Sequence, residues 1–171
     1  GKLDLTIGNA INPWLPGYEQ PTRFNIFALP APGHPGDRRM FNVMHRTWHD
    51  ANNGGGMSVL LNRGGRFAPL SAQQLGLAGE HRWTTAIGMA DFNGDGWPDL
   101  FVANDTAANH LWINQKNGTF VESALAMGTA YGEEGLAKAG MGVAAADYDL
   151  DGREDLIVLN LMREGATLFQ N

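Results

Sequence analysis

The chain has 171 residues, of which 43% are hydrophobic, enough apolar material for about one packed domain. Its 18 acidic residues outnumber 12 lysines and arginines, so a basic surface that follows phosphates is excluded and nucleic acid is not an expected partner. No apolar run approaches the roughly 20 residues of a membrane-spanning helix. With no cysteine, the chain has no disulfide, thiolate zinc site or cysteine nucleophile. Its 23 glycines and 8 prolines favour turns and short strands over a helix bundle.

The first predicted strand follows Asp4 and ends at Asn9, before an insertion at residues 10–57. Six prolines in this insertion exclude a regular strand across it. It serves either as a functional or oligomeric surface or as an ordered structural lid. His45 and His49 would share one helix face, as metal or haem ligands or as hydrogen-bonded, solvent-facing side chains.

The predicted strands after the insertion recur in a fixed order. The first unit continues with a strand at 59–62 and a Gly64-Gly65 hairpin that leads to Phe67. A complete unit follows, with predicted strands at 86–92, 99–104 and 112–114, and one at Phe120 after an Asn117-Gly118 turn. The last unit repeats three of these strands, at 142–148, 155–160 and 168–171.

The spacing of these units predicts the fold. Gly96 and the strand after it return 56 residues later at Gly152, and four short strands per unit are typical of a β-propeller blade. A solenoid is the competing repeat architecture. We therefore predict an all-β propeller fragment of about two and a half four-stranded blades. The units are a partial blade with strands two to four at 1–85, a complete blade at 86–125, and a connection and partial blade with strands one to three at 126–171.

Two and a half blades cannot close a ring of four to eight. The expected partners are therefore the rest of a larger propeller or neighbouring chains, one of which would pair against the edge near Leu168–Asn171.

Two acidic loops carry the predicted chemistry. Each has oxygen-bearing side chains at positions one, three, five and nine and glycine at position six. Calcium takes six to eight oxygen ligands, and alternate residues of a tight loop can turn toward one point. The first predicted set is Asp91, Asn93, Asp95 and Asp99 with the Trp97 carbonyl. The second is Asp147, Asp149, Asp151 and Asp155 with the Arg153 carbonyl.

Other interpretations of these loops are weaker. Position twelve, where an EF-hand has glutamate, is Val102 or Val158. Acidic hairpin turns without metal are possible, but converging carboxylates would repel one another, and magnesium gives up its waters reluctantly. Gly1 and Asp4 match positions six and nine of a third loop whose first five positions are absent. We expect two calcium ions at the complete loops and a missing or impaired site before Asp4.

At these loops the sequence resembles the FG-GAP/VCBS repeats of integrin α-chain propellers. It is more similar to proteins that join such repeats to an ASPIC/UnbV domain, the cartilage acidic protein group. The matching segments are 99–105, 109–114, 117–120, 130–131, 139–142 and 147–149. The resemblance implies a secreted, extracellular or periplasmic propeller stabilised by calcium.

The function we expect is that of a non-catalytic structural, adhesive or ligand-presenting module, with a protein or glycan as possible ligand. No paired catalytic carboxylates or nucleophile motif stand out. One alternative stays open, a carbohydrate-active propeller such as a polysaccharide lyase, for which the histidines of the insertion are the candidate centre. A redox-partner protein is weaker, because the chain has no cysteine haem-attachment motif.

Overall fold

The computed structural model describes residues 3–8, 56–71, 73–77 and 82–171, which form ten strands. They are β1 (Leu5–Ile7), β2 (Ser58–Asn62), β3 (Phe67–Leu70), β4 (Thr84–Ala90), β5 (Asp99–Asn104), β6 (His110–Asn114), β7 (Phe120–Glu122), β8 (Gly140–Ala146), β9 (Asp155–Asn160) and β10 (Ala166–Phe169). Within these ranges there is no helix, and hence none that could span a membrane. Most of the predicted insertion, with His45 and His49, lies outside the described residues.

The strands form three antiparallel sheets in which neighbours in sequence are neighbours in space. The central sheet has the order β4-β5-β6-β7, and three-stranded sheets β1-β2-β3 and β8-β9-β10 accompany it. Each is a meander of short strands, as in a propeller blade. The predicted fold class, an all-β propeller arrangement of about two and a half four-stranded blades, is confirmed. The unit boundaries stay predictions.

The innermost strands β4 and β8 occupy slightly different positions from those predicted. They begin at Thr84 and Gly140 and end at Ala90 and Ala146, each two residues earlier than expected. The chain leaves the sheet early because Asp91 and Asp147 already accept backbone hydrogen bonds from the loops that follow. The acidic loops therefore start directly at the strand ends.

Apolar side chains fill both faces of the central sheet. On the face toward β8 and β9, Phe101 and Leu111 pack with Leu156; on the other face, Val102 and Trp112 pack with Leu75. Every residue of β5 is buried. Full burial of a side chain such as Phe101 contributes about 1.5–3 kcal/mol. The core therefore fixes the position of β5, the strand that follows the first acidic loop.

The inner strands β4 and β8 approach each other closely because of a glycine. A Cβ at Gly88 would lie only 2.6 Å from Cγ1 of Val143. Any larger residue would therefore push these two inner strands, and the acidic loops at their ends, apart.

Candidate metal centre

The two acidic loops connect the first and second strands of their sheets and are built alike. The position-one carboxylate Oδ1 of Asp91 accepts the N–H of Asp95 at 2.9 Å, and its Oδ2 accepts that of Gly96 at 2.7 Å. Asp147 receives the corresponding bonds from Asp151 at 3.0 Å and Gly152 at 2.8 Å. Each loop is thus folded around its first carboxylate.

Positions three and five repeat the same arrangement. Asn93 Oδ1 accepts the N–H of Asp95 at 3.1 Å, and Asp149 Oδ1 accepts that of Asp151 at 3.3 Å. A carboxylate oxygen from each of Asp147, Asp149 and Asp151 lies within 4.8 Å of the others. Three of the four side chains predicted as the second ligand set are therefore brought together.

The position-nine carboxylates lie deeper and fasten the loops to the third strands. Asp99 is 0% exposed; its Oδ1 accepts the N–H of Asn114 at 2.8 Å and its Oδ2 that of Phe92 at 3.0 Å. Asp155 accepts the corresponding bonds from Asn171 at 2.9 Å and Tyr148 at 3.1 Å. These residues hold loop and sheet together as well as being predicted ligands.

The first sheet contains one of the two hydrogen bonds that the position-nine carboxylates accept in the other sheets. Asp4 Oδ1 accepts the N–H of Asn62 at 2.8 Å, as Asp99 does from Asn114. Asp4 therefore occupies position nine of a third unit. Gly1, its predicted position-six partner, lies outside the described residues.

Comparison with known proteins agrees with this repeated construction. A family model described as FG-GAP-like repeat matches residues 48–102 and 91–158, together more than half of the chain. The chain belongs to this family. Over 62 residues it is also 39% identical to cartilage acidic protein 1 of mouse (Mus musculus). That alignment covers 36% of this chain and 9% of the mouse protein, so the chain spans a small part of this relative's length. The predicted FG-GAP resemblance is confirmed.

The pKa values of three carboxylates in the FG-GAP loops are shifted, in directions that differ between the buried Asp99 and the less buried Asp95 and Asp151. Burial raises the pKa of Asp99, and its neighbours Asp95 and Asp91 raise it further, against the two N–H groups that it accepts. The Arg153 side chain is the main cause that lowers the pKa of the exposed Asp151. For Asp95, desolvation opposes the shift, but bonds from Asn93, the Trp97 N–H and Lys116 together lower its pKa. Asp95 and Asp151 are therefore more readily ionised than Asp99.

Two cationic side chains and one side-chain amide contact carboxylates of the FG-GAP loops, and the sequence analysis predicted none of these contacts. Lys116 Nζ, from the hairpin between β6 and β7, lies 3.4 Å from Asp95 Oδ2. In the other loop Arg153 pairs with Asp151, and Gln170 Nε2 donates to Asp149 Oδ2 at 2.6 Å. The asparagines of the fastening were missed too, although Asn62, Asn114 and Asn171 close equivalent strands. That recurrence was the available signal.

The donor set of each FG-GAP loop fits a hard divalent cation. Carboxylate and amide oxygens are the ligands that calcium prefers, and each oxygen has two lone pairs, so accepting one N–H leaves capacity for a metal. Positive φ angles of 84° at Gly96 and 90° at Gly152 produce the bend that brings these oxygens round. Lys116 and Arg153 occupy position-five carboxylates and would compete with a bound ion.

Proposed function

We propose that this FG-GAP-like repeat chain is a calcium-binding propeller module with a structural, adhesive or ligand-presenting role. The observation that carries the proposal is the convergence of oxygens from Asp147, Asp149 and Asp151 to within 4.8 Å, in a loop that the chain builds twice. Such a cluster of negative charge is stabilised by a divalent cation. Calcium binding therefore explains why both loops have the same oxygen-rich construction.

The proposed ligands are the four oxygen-bearing side chains of each loop and one backbone carbonyl. Asp91, Asn93, Asp95, Asp99 and the Trp97 carbonyl would hold one ion; Asp147, Asp149, Asp151, Asp155 and the Arg153 carbonyl would hold the other. When bound, calcium supplies positive charge that offsets carboxylate repulsion. A ligand that binds only the folded chain stabilises it by about 2.7 kcal/mol at one hundred times its dissociation constant.

The exposure of these loops supports a calcium-rich compartment. Asp151 is exposed and Asp95 is half-buried, so solvent reaches the position-five side chain of each loop. Extracellular calcium modules commonly work with dissociation constants of about 10⁻⁴–10⁻³ M. We therefore propose a secreted, extracellular or periplasmic location.

Isothermal titration calorimetry tests the calcium sites. The metal-free chain should bind two calcium ions, and Asp95→Ala or Asp151→Ala should each reduce the count to one. Glu154→Gln, which removes a charge within the second loop but no proposed ligand, is the control and should retain two. Absence of binding, or preference for magnesium, would refute the assignment.

The non-catalytic role needs a separate test. Acidic glycans incubated with the calcium-loaded chain should not be cleaved. Cleavage that is lost in a His45→Ala, His49→Ala double variant would instead establish the carbohydrate-active alternative. Calcium titration of that variant would distinguish lost chemistry from a lost fold.

A further inference from the structure

A small cavity borders the central sheet at the end of β4 and β6 that lies away from the acidic loops. Thr84, the first residue of β4, and His110, the first residue of β6, line it together with Arg82 and Trp112. Its volume is about 10 Å³, which holds a single water-sized particle. No acidic residue of the described chain lines it, and the remaining lining side chains are apolar: Met57, Leu77 and Val102.

Trp112 brings a buried hydrogen-bond donor to this cavity. Its side chain is 4% exposed, and no described residue accepts a hydrogen bond from its Nε1–H. Leaving a buried donor unpaired costs the desolvation of that group, so native structures rarely do so. An indole nitrogen can only donate. The N–H therefore requires an acceptor, and the cavity that Trp112 lines is the space available for one.

The repeated blade structure does not by itself require an indole at this position. Leu60 and Phe169 hold the place of Trp112 in the other two sheets, each two residues before the equivalent asparagine. Register agrees, because Trp112 pairs with Leu100 of the second strand as Phe169 pairs with Leu156. Side chains without any polar atom thus fill the equivalent places. Packing alone does not explain the indole nitrogen of the central sheet.

Hydrogen bonds to Asn104 fix the position of the proton on His110. Asn104 Nδ2 donates to the Ala108 carbonyl at 2.8 Å, and its Oδ1 accepts the Thr84 hydroxyl at 3.4 Å. With the amide oriented in this way, Nδ2 donates to His110 Nδ1 at 3.3 Å. A neutral imidazole whose Nδ1 accepts carries its proton on Nε2. His110 is therefore a donor through Nε2.

The side chains that line the cavity favour a negatively charged occupant. Trp112 and His110 each supply an N–H, and the Arg82 guanidinium adds positive charge and can only donate. A water molecule would need acceptors for its two protons, but the Thr84 hydroxyl oxygen is the one lining side-chain atom in the described chain that can serve. Polyatomic anions such as sulfate and phosphate are too large for this volume.

We propose that this cavity binds one monatomic anion, chloride or bromide, through the N–H groups of Trp112 and His110 and the guanidinium of Arg82. The bound ion accepts the hydrogen bond of the buried indole and connects the beginnings of β4 and β6. The site shares no residue with the acidic loops. It is therefore independent of the proposed calcium function.

Nuclear magnetic resonance of the indole N–H groups tests the site on the unchanged chain. Isotope-labelled tryptophan gives one signal for each of the five tryptophans, and the signal absent from Trp112→Phe identifies Trp112. Sodium chloride replaces sodium gluconate at constant ionic strength, first in chelator and then with calcium. A saturable shift of the Trp112 signal is expected with chloride and with bromide, but not with sulfate. No shift, or the same shift with sulfate, would overturn the proposal, because water would then be the occupant.

Variants of the chain provide a second test. Arg82→Gln should weaken chloride binding at least about tenfold, because hydrogen bonds from charged groups are the stronger ones. Its four other indole signals report whether the variant is folded. Arg66→Gln removes the same charge from an exposed hairpin and is the matched control, with affinity expected within about twofold. Equal affinities of the two variants would contradict the site.

Thermal unfolding supplies a readout that does not depend on the indole signal. Chloride should raise the thermal midpoint of the unchanged chain more than that of Trp112→Phe, because an ion that binds only the folded state stabilises it. Trp112→Phe keeps an aromatic ring, as Phe169 does at the equivalent place. The same chloride effect on both chains would overturn the role of the indole.

Discussion

The two acidic loops have the same pattern of internal hydrogen bonds, but the strands that follow them are buried to different extents. Loop 91–99 leads into β5, in which every residue is buried. Loop 147–155 leads into β9, where Ile157 is 36% and Leu159 54% exposed. The loop conformation is therefore a local property of the repeated sequence, whereas the burial of the anchoring strand depends on how many sheets pack against it.

Smaller differences lie inside the loops. Position three is Asn93 in one and Asp149 in the other, and position four is Gly94 or Leu150. The cation beside position five comes from another hairpin, Lys116, in the first loop, but from within the second. Residues at equivalent positions can be exchanged between the loops by substitution. Such exchanges distinguish effects of the loop sequence from effects of the surrounding structure.

Removing the position-nine carboxylates should have the largest effect on the free energy of unfolding. The size of the loss should differ between the loops, because the strands that follow them are buried to different extents. Asp99→Ala leaves the half-buried N–H of Asn114 and the buried N–H of Phe92 without an acceptor, at about 1–3 kcal/mol each, so a total loss of about 2–6 kcal/mol is expected. Asp155→Ala should cost less, because Asn171 is exposed and water can replace the acceptor. Urea unfolding in chelator measures both free energies.

The matched controls are Asp99→Asn and Asp155→Asn, which retain one acceptor oxygen and should recover part of the loss. Equal costs for the two alanine variants would contradict the claim that strand burial distinguishes the loops. A cost that vanishes in chelator would mean that Asp99 acts only through a metal.

The local part of this construction was accessible from sequence because it depends on short spacing. Oxygen side chains at alternate positions and glycine at six predicted both loops, and recurrence of Gly96 at Gly152 predicted the blades. The recurrence of asparagine at the end of equivalent strands marked the position of Asn114, but not its bond to Asp99, which joins residues 15 apart on different strands and uses a backbone N–H that every residue has. Lys116 likewise meets Asp95 only after the β6–β7 hairpin folds back.

Exchanging position three should change calcium affinity by about tenfold, because affinity follows the number of charged ligands. Asn93→Asp gives the first loop a fourth carboxylate and should strengthen its site, while Asp149→Asn should weaken the second. Calorimetric titration of each variant measures the two dissociation constants. The double exchange is the control, since it preserves net charge and should reverse the order of the sites. Unchanged affinities would show that position three does not hold the ion.

The opposite ends of the same strands differ in one charge. Asp105 follows β5 where Leu161 follows β9; burial, and then the charge of Glu164, raise the pKa of Asp105, and its Oδ1 has no hydrogen-bond partner. A raised pKa means that ionisation costs stability in the folded chain. Asp105→Asn should therefore gain up to about 1 kcal/mol at pH 7, limited by solvent screening.

The sign of this effect can be checked against pH. The advantage of Asp105→Asn should be absent below the unfolded value near 3.9, where both states are protonated, and should grow as pH rises through the folded pKa. Thermal unfolding in chelator at pH 3 and pH 7 measures it. The isosteric variant Glu134→Gln, at an exposed position outside both acidic loops, is the control for loss of a charge alone. A gain present at pH 3 would contradict desolvation as the cause.

Exchanging position four should give the smallest effect, because it changes only the backbone preference. Leu150 has φ 62° and is 86% exposed, so its side chain contributes little packing while its backbone lies in the left-handed region. Leu150→Gly should stabilise the chain by about 0.5 kcal/mol, the strain relieved less the added freedom of glycine when unfolded. Gly94 has φ 70°, and no atom lies within 4 Å of the place where a Cβ would stand. Gly94→Leu should therefore destabilise the chain by a similar amount. Thermal midpoints in chelator measure both. If the loops are locally equivalent, the double exchange leaves stability unchanged; a much larger loss at Gly94 would show that the buried strand β5 restricts its loop in a way that β9 does not.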